Sequence, residues 1–167
     1  MARRGLLLAL GLGALSALAA PVILRPAPRL IWNASASAPM GLWRVTPGTA
    51  GESGDHVAAT PPPAVRVLAA RRGYLPANVP LIKVVAAGDG DLVCATGQLV
   101  LVNGTVVAER RKADARGRRL PWWRGCARLA DGAVLLLSPS SDGFDGRYFG
   151  PIPRALVIGK ATPLWLP

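Results

Sequence analysis

The stretch Gln98 to Arg110, QLVLVNGTVVAER, constrains the fold most tightly. Two runs rich in valine and leucine flank Asn103-Gly104, and that dipeptide supplies the two positive-φ residues of a type I′ hairpin turn. Antiparallel β-structure is therefore expected here. The turn also accounts for Asn103-Gly104-Thr105, which matches a glycosylation acceptor. The remaining sequence agrees with this class. The chain has 167 residues, 51% of them hydrophobic, with 19 glycines and 16 prolines. That length suits one domain with a real core, and the mixture implies short strands, many turns and one apolar segment rather than a helical bundle.

A second strand precedes the hairpin, Leu81-Ile82-Lys83-Val84-Val85. Its lysine is one of three in the chain, with Lys112 and Lys160, against 17 arginines. Strand side chains alternate, so Lys83 shares a face with Leu81 and Val85. Two readings follow. On an edge strand the lysine snorkels into water and blocks edge pairing. On a buried face, desolvation disfavours the ammonium and leaves an amine able to accept a proton.

Net charge is +11, which suits nucleic acid or an anionic membrane surface. The arginines are dispersed except between Arg110 and Arg119, and no helix-turn-helix or zinc pattern accompanies them. The membrane surface is the favoured partner, and nucleic acid is not expected. RRKADARGRRL, residues 110–120, reads as an exposed basic loop that touches lipid headgroups or an acidic partner. The single histidine, His56, lies in the polar stretch GESGDHVAAT and reads as a solvated loop residue, one of residues 46–63 taken as loop throughout. A histidine-based catalytic triad would have to be built on it. No Cys/His cluster has metal-ligand spacing, so no metal site is expected.

At the N-terminus, Arg3 and Arg4 precede about twenty apolar residues, long enough to cross a bilayer. The positive-inside rule then keeps the N-terminus in the cytoplasm and exports everything after Arg25. Ala17-Leu18-Ala19 is an acceptable cleavage site, so a removed signal peptide is the alternative; the apolar run continuing through Val22-Ile23-Leu24 favours an anchor spanning residues 6–24. The division expected is 1–25 as anchor or signal segment and 26–167 as an exported domain. In IWNASASAPMGLWRV, Ile31-Trp32 and Leu42-Trp43 bracket Ser35 and Ser37, which pins the serine loop to a core instead of leaving a solvated linker. AVRVLAARRGYLP reads as a short helix stopped by Gly73. Gly132 to Leu137 reads as a buried strand, and a last strand is placed near Leu156-Val157-Ile158. Cys94 and Cys126, in an exported chain, form a disulfide or remain two buried thiols; the oxidising compartment favours the bridge.

A serine in a pinned loop, a lysine in an apolar strand and no usable histidine suggest a Ser-Lys dyad, since serine needs a base to act as a nucleophile. Three blocks in order make a specific resemblance. Asn33-Ala-Ser35-Ala-Ser37-Ala-Pro39-Met-Gly41-Leu-Trp43, Pro80-Leu-Ile-Lys83-Val-Val85 through Gly90-Asp91-Leu-Val93-Cys94, and Phe144-Asp145-Gly-Arg147-Tyr148-Phe149-Gly150-Pro151-Ile-Pro153 followed by Val157-Ile-Gly159-Lys-Ala161 resemble the boxes of the signal peptidase I clan, and within it the TraF-type conjugative transfer peptidases.

The resemblance implies a mainly β fold, a signal-peptidase-like antiparallel domain behind one N-terminal transmembrane helix, in the bacterial inner membrane with the domain in the periplasm. It implies Ser37 as nucleophile and Lys83 as general base. The Ser37 backbone N–H and the Ser35 hydroxyl would form the oxyanion hole, and Asp145 and Arg147 an ion pair holding the closing loop around the lysine. It implies no cofactor, and as substrate a pilin precursor or another small exported protein of a conjugation or type IV secretion system, hydrolysed or cyclised. A general type I signal peptidase and a catalytically silent scaffold are the alternatives. The chain departs from the pattern in places. Val84 follows the lysine where arginine is common, and Gly143 and Gly146 replace the serines of Ser-x-Asp-Ser-Arg. The first of those serines hydrogen-bonds the lysine in general signal peptidases, so Lys83 lacks that partner unless Ser140 or Ser141 substitutes.

Overall fold

The structure, a computed structural model, describes residues 2–24 and 27–167. The boundary expected between residues 25 and 26 lies outside the described residues. The described part of the domain is mainly β, in two antiparallel sheets. The larger runs β1-β2-β10-β3-β4-β9, with β1 Leu30–Asn33, β2 Gly41–Pro47, β3 His56–Ala59, β4 Leu81–Ala87, β9 Leu135–Leu137 and β10 Val157–Trp165. The smaller runs β7-β6-β5-β8, with β5 Leu92–Thr96, β6 Leu99–Val102, β7 Thr105–Glu109 and β8 Gly125–Arg128.

The Asn-Gly hairpin joins β6 to β7, with φ of 50° at Asn103 and 83° at Gly104, as a type I′ turn requires. Across the small sheet Cys94 faces Cys126 and the two are bonded. The short helix ends where expected: α2, Pro63–Arg72, is capped by Gly73 in the left-handed region.

Apolar clusters pack on both faces of the large sheet. Ile31, Trp43, Val45, Ala58 and Ile82 pack on one side; Val57, Val85, Leu136, Ile152 and Val157 pack on the other. A third cluster, including Val93, Val100, Leu135 and Leu137, joins the two sheets. Two close approaches need a missing Cβ. One at Gly159 would stand 2.0 Å from the Thr46 carbonyl oxygen in the β10–β2 pair, and one at Gly41 would stand 2.2 Å from that of Trp165.

Several sequence expectations are corrected. Residues 46–63 are not all loop, because His56–Ala59 form β3 between β10 and β4. His56 is half-buried against the Trp43 ring, 4.9 Å between centroids, and burial pushes its imidazole below the ordinary histidine value. The 110–120 loop is not uniformly exposed. Arg110 is buried, donating to the Trp123 and Gly97 carbonyls, because its guanidinium can satisfy several carbonyls at once. The final strand runs on to Trp165, since β10 pairs with β2 from Pro47 back to Leu42.

Residues 2–24 form one helix, α1, of 23 residues. Its described leucines, among them Leu7 and Leu18, are exposed. Among the described residues no helix is long and apolar enough to cross a membrane, so the fold does not show the expected span.

Candidate active site

Ser37 sits in the seven-residue loop 34–40 that joins β1 to β2, closed by the Asn33–Gly41 pair. The loop is built on Asn33, whose side chain is buried at 8% exposure. The Asn33 Nδ2 group donates to the carbonyl oxygens of Ser35, Ala38 and Pro39, each at 3.0 Å, two hydrogens shared among three acceptors. Asn33 Oδ1 accepts from the Ser35 backbone N–H and from the Ser35 hydroxyl. Trp43, buried in the core, donates its indole N–H to Pro39. The anchoring expected of Ile31-Trp32 and Leu42-Trp43 thus falls to Ile31 and Trp43; Trp32 is exposed and meets Trp165 instead. Ser35 Oγ lies 2.8 Å from Ser37 Oγ. With its one proton given to Asn33, the Ser35 hydroxyl is an acceptor toward Ser37; turned away from Asn33, it is a donor in the nucleophile's immediate surroundings.

Lys83 lies in the interior of the large sheet, with β3 on one side and β9 on the other, and is 2% exposed. The edge-strand reading is therefore wrong. Lys83 pairs with Val57, whereas His56 pairs with Val84 one residue along. Alternation puts the imidazole on the opposite face of the sheet from the lysine. Burial, the dominant cause, lowers the Lys83 pKa from 10.5 to about 8, with Asp145 opposing the fall and Arg147 adding to it.

Asp145 and Arg147 lie in the closing segment, where Asp145 caps the short helix α3, Gly146–Phe149. The carboxylate is fully buried. It accepts from the Arg147 Nε at 2.9 Å, the Arg147 backbone N–H at 3.0 Å and the Ser138 backbone N–H at 2.6 Å. Burial, the dominant cause, holds the Asp145 carboxyl above the ordinary aspartate value, with the Arg147 guanidinium, two backbone donors and Lys83 opposing the rise. Three donors aimed at it make it the anion. Arg147 also donates to the Ser141 and Ser138 carbonyls, so the ion pair fastens the loop to the strand beside Lys83.

The glycines that replace the two serines have packing reasons. A Cβ on Gly146 would stand 2.7 Å from the Leu136 carbonyl oxygen, and one on Gly143 would stand 2.2 Å from Ser138 Oγ. Neither Ser140 nor Ser141 takes the orienting role. Their hydroxyls engage Asp142, accepting from its backbone N–H and donating to its carboxylate.

Ser35, Ser37 and Lys83 all open onto one cleft of about 340 Å³, whose walls include Leu75, Leu81 and Phe144. Phe144 packs against Tyr74 at 5.0 Å and runs parallel to Tyr148. An Arg111–Asp142 ion pair at 2.6 Å lies on the rim, and the Tyr74 hydroxyl donates to Asp114 on another wall. Among the described residues no hydrogen bond joins Ser37 to Lys83; catalytic hydrogen bonds often tighten only when substrate is bound. Two participants were missed from sequence, Asn33 as loop organiser and Ser138 as the residue behind Gly143. Asn33 stood in the motif, and its place two residues after Ile31, on the same strand face, was the available signal.

A serine and a desolvated lysine thus open onto one largely apolar cleft in a two-sheet antiparallel scaffold. The family follows from comparison: the model for signal peptidase, peptidase S26, matches residues 3–166, and the chain belongs to that family. Its relatives include a probable conjugal transfer protein TraF of Sinorhizobium fredii, 39% identical over 77% of this chain and 73% of the relative. A plasmid transfer protein TraF of Escherichia coli is 36% identical over 79% and 80%, and a conjugal transfer protein TraF of Agrobacterium fabrum is 35% identical over 80% of each.

Proposed function

We propose that the chain is a membrane-anchored serine endopeptidase using a Ser37/Lys83 dyad to process, and in one variant of the chemistry to cyclise, the pilin precursor of a conjugative transfer system. One observation carries this reading: a lysine with a pKa near 8 opens onto the same cleft as a serine held on a structured loop. At pH 7 such a lysine is neutral about one time in ten, against roughly one in three thousand for an ordinary lysine. The neutral amine takes the proton from Ser37 Oγ as the oxygen attacks the scissile carbonyl. The Ser37 N–H and the Ser35 hydroxyl, released from Asn33, donate to the oxyanion. Collapse breaks the peptide bond, and the Lys83 ammonium returns its proton to the leaving amine. Water, or the substrate's own amino terminus, then attacks the acyl-enzyme.

The anchor and location belong to the same proposal. Residues 5–24 carry no charged side chain and follow Arg3 and Arg4, and 23 helical residues extend about 35 Å. The bonded cysteines suit an oxidising compartment, here the periplasm. Transfer-protein names among relatives support a pilin or other exported protein as substrate. Incubating a detergent-solubilised enzyme with the pilin precursor tests the reading: cleavage should be lost in both Ser37→Ala and Lys83→Ala. A Lys83→Ala enzyme that cleaves like the parent would refute it.

A further inference from the structure

We propose that Ser138 positions Lys83: its hydroxyl accepts a hydrogen bond from Nζ, aiming the amine at Ser37 across the cleft. The catalytic meaning rests on the dyad reading, while the contact itself needs no substrate.

Strand register brings the two residues together. In the antiparallel pair of β4 and β9, Val85 faces Leu136 and Val84 faces Leu137. The ladder ends at Leu137; its register carried one residue further would set Ser138 across from Lys83. Directly opposed residues send their side chains to the same face, about 5 Å apart at Cβ. Both residues are buried, and among the described residues neither side chain has a hydrogen-bond partner. Ser138 is 6% exposed, and its Oγ is among the few buried polar side-chain atoms without a hydrogen bond. Lys83 is 2% exposed, and no hydrogen bond contributes to its environment.

The Ser138 hydroxyl is not what holds its own segment in place. The Ser138 backbone is already clamped, its N–H on Asp145 and its carbonyl on Arg147. Position 138 packs directly against Gly143, where a Cβ would stand 2.4 Å from the Ser138 Cβ and 3.1 Å from Asp145 Oδ2. The charged groups acting on Lys83 are Asp145 and Arg147. Val57 faces it from β3, and Arg111, Asp114 and Asp142 stand elsewhere on the cleft wall. Two unpartnered groups on facing positions become each other's partners once a terminal torsion turns. A neutral amine that donates one N–H to Ser138 keeps its lone pair for the Ser37 proton.

The chain's three lysines make the test direct, since lysine-selective carbon-13 NMR resolves three ε-carbon titrations in the detergent-solubilised full chain. In Ser138→Ala the ammonium loses its acceptor. The Lys83 midpoint should fall by roughly one pH unit, with Lys112 and Lys160 unmoved and no loss in thermal midpoint. Toward the pilin precursor, kcat should drop about tenfold at unchanged KM. The exchange Ser138→Gly with Gly143→Ser returns a hydroxyl to the same space and should restore the Lys83 midpoint; Ser138→Gly with Gly143→Ala should not. An unmoved Lys83 midpoint in both hydroxyl-free variants overturns the contact, even if the parent enzyme cleaves its substrate. A moved midpoint in a parent that cleaves nothing would uphold the contact and sink the dyad reading instead.

Discussion

Replacing Lys83 with methionine should make the protein more stable while abolishing its activity. The lysine is 2% exposed, and burial holds its pKa near 8 instead of 10.5. At 1.36 kcal/mol per pH unit, that depression costs the fold about 3 kcal/mol whenever the lysine is charged in both states. The sign is set by proton counting. Below pH 8 both states bind the proton and the whole cost is present. Between pH 8 and 10.5 only the unfolded chain binds it, so stability rises with pH, and above 10.5 the cost is gone. Methionine fills a similar volume without charge. Lys83→Met should therefore unfold roughly 6–12 °C above the parent at pH 7, with the gap closing as the pH approaches 10.5. Thermal unfolding of both proteins from pH 6 to 10.5 reads this directly. A gap that is constant with pH, or a variant less stable than the parent at pH 7, would refute a strained, desolvated lysine.

Activity itself should rise with pH through a midpoint near 8, following the free amine of Lys83; a flat rate from pH 6 to 9 would count against that base. Asn33→Ala removes the donors for three loop carbonyls and should cost about 2–4 kcal/mol, seen as a lower denaturation midpoint together with lost cleavage. Gly146→Ala forces a Cβ to 2.7 Å from the Leu136 carbonyl and should destabilise by more than about 1 kcal/mol through overpacking, measurable by urea unfolding. Replacing Cys94 and Cys126 with alanine opens a loop of separation 32 and should cost about 3–4 kcal/mol. Cleavage at low temperature should persist, because neither cysteine lines the cleft.

Local chemistry made the hairpin legible, since Asn103-Gly104 permits few other conformations. The stop of α2 at Gly73 was legible for the same reason. Serine loop, lysine strand and closing box could be ordered along the chain because each carries its own motif. The strand at His56–Ala59 was hidden because its stretch is polar and glycine-rich; pairing with β10 and β4 supplies what intrinsic propensity does not. Arg110 was hidden because a charge in a basic run reads as solvated until two carbonyls are found around it. Ser138 could not be singled out, as its meaning depends on β4–β9 register and on the space at Gly143. Those are relations between distant residues, and no local pattern encodes them.

The central claim is tested most directly by intact-mass analysis of the candidate pilin precursor co-expressed with the parent enzyme, Ser37→Ala or Lys83→Ala. The dyad account predicts a trimmed product with the parent only, and a mass one water lighter than the linear product if the ends are joined. Trimming by either variant at the parental level would contradict it.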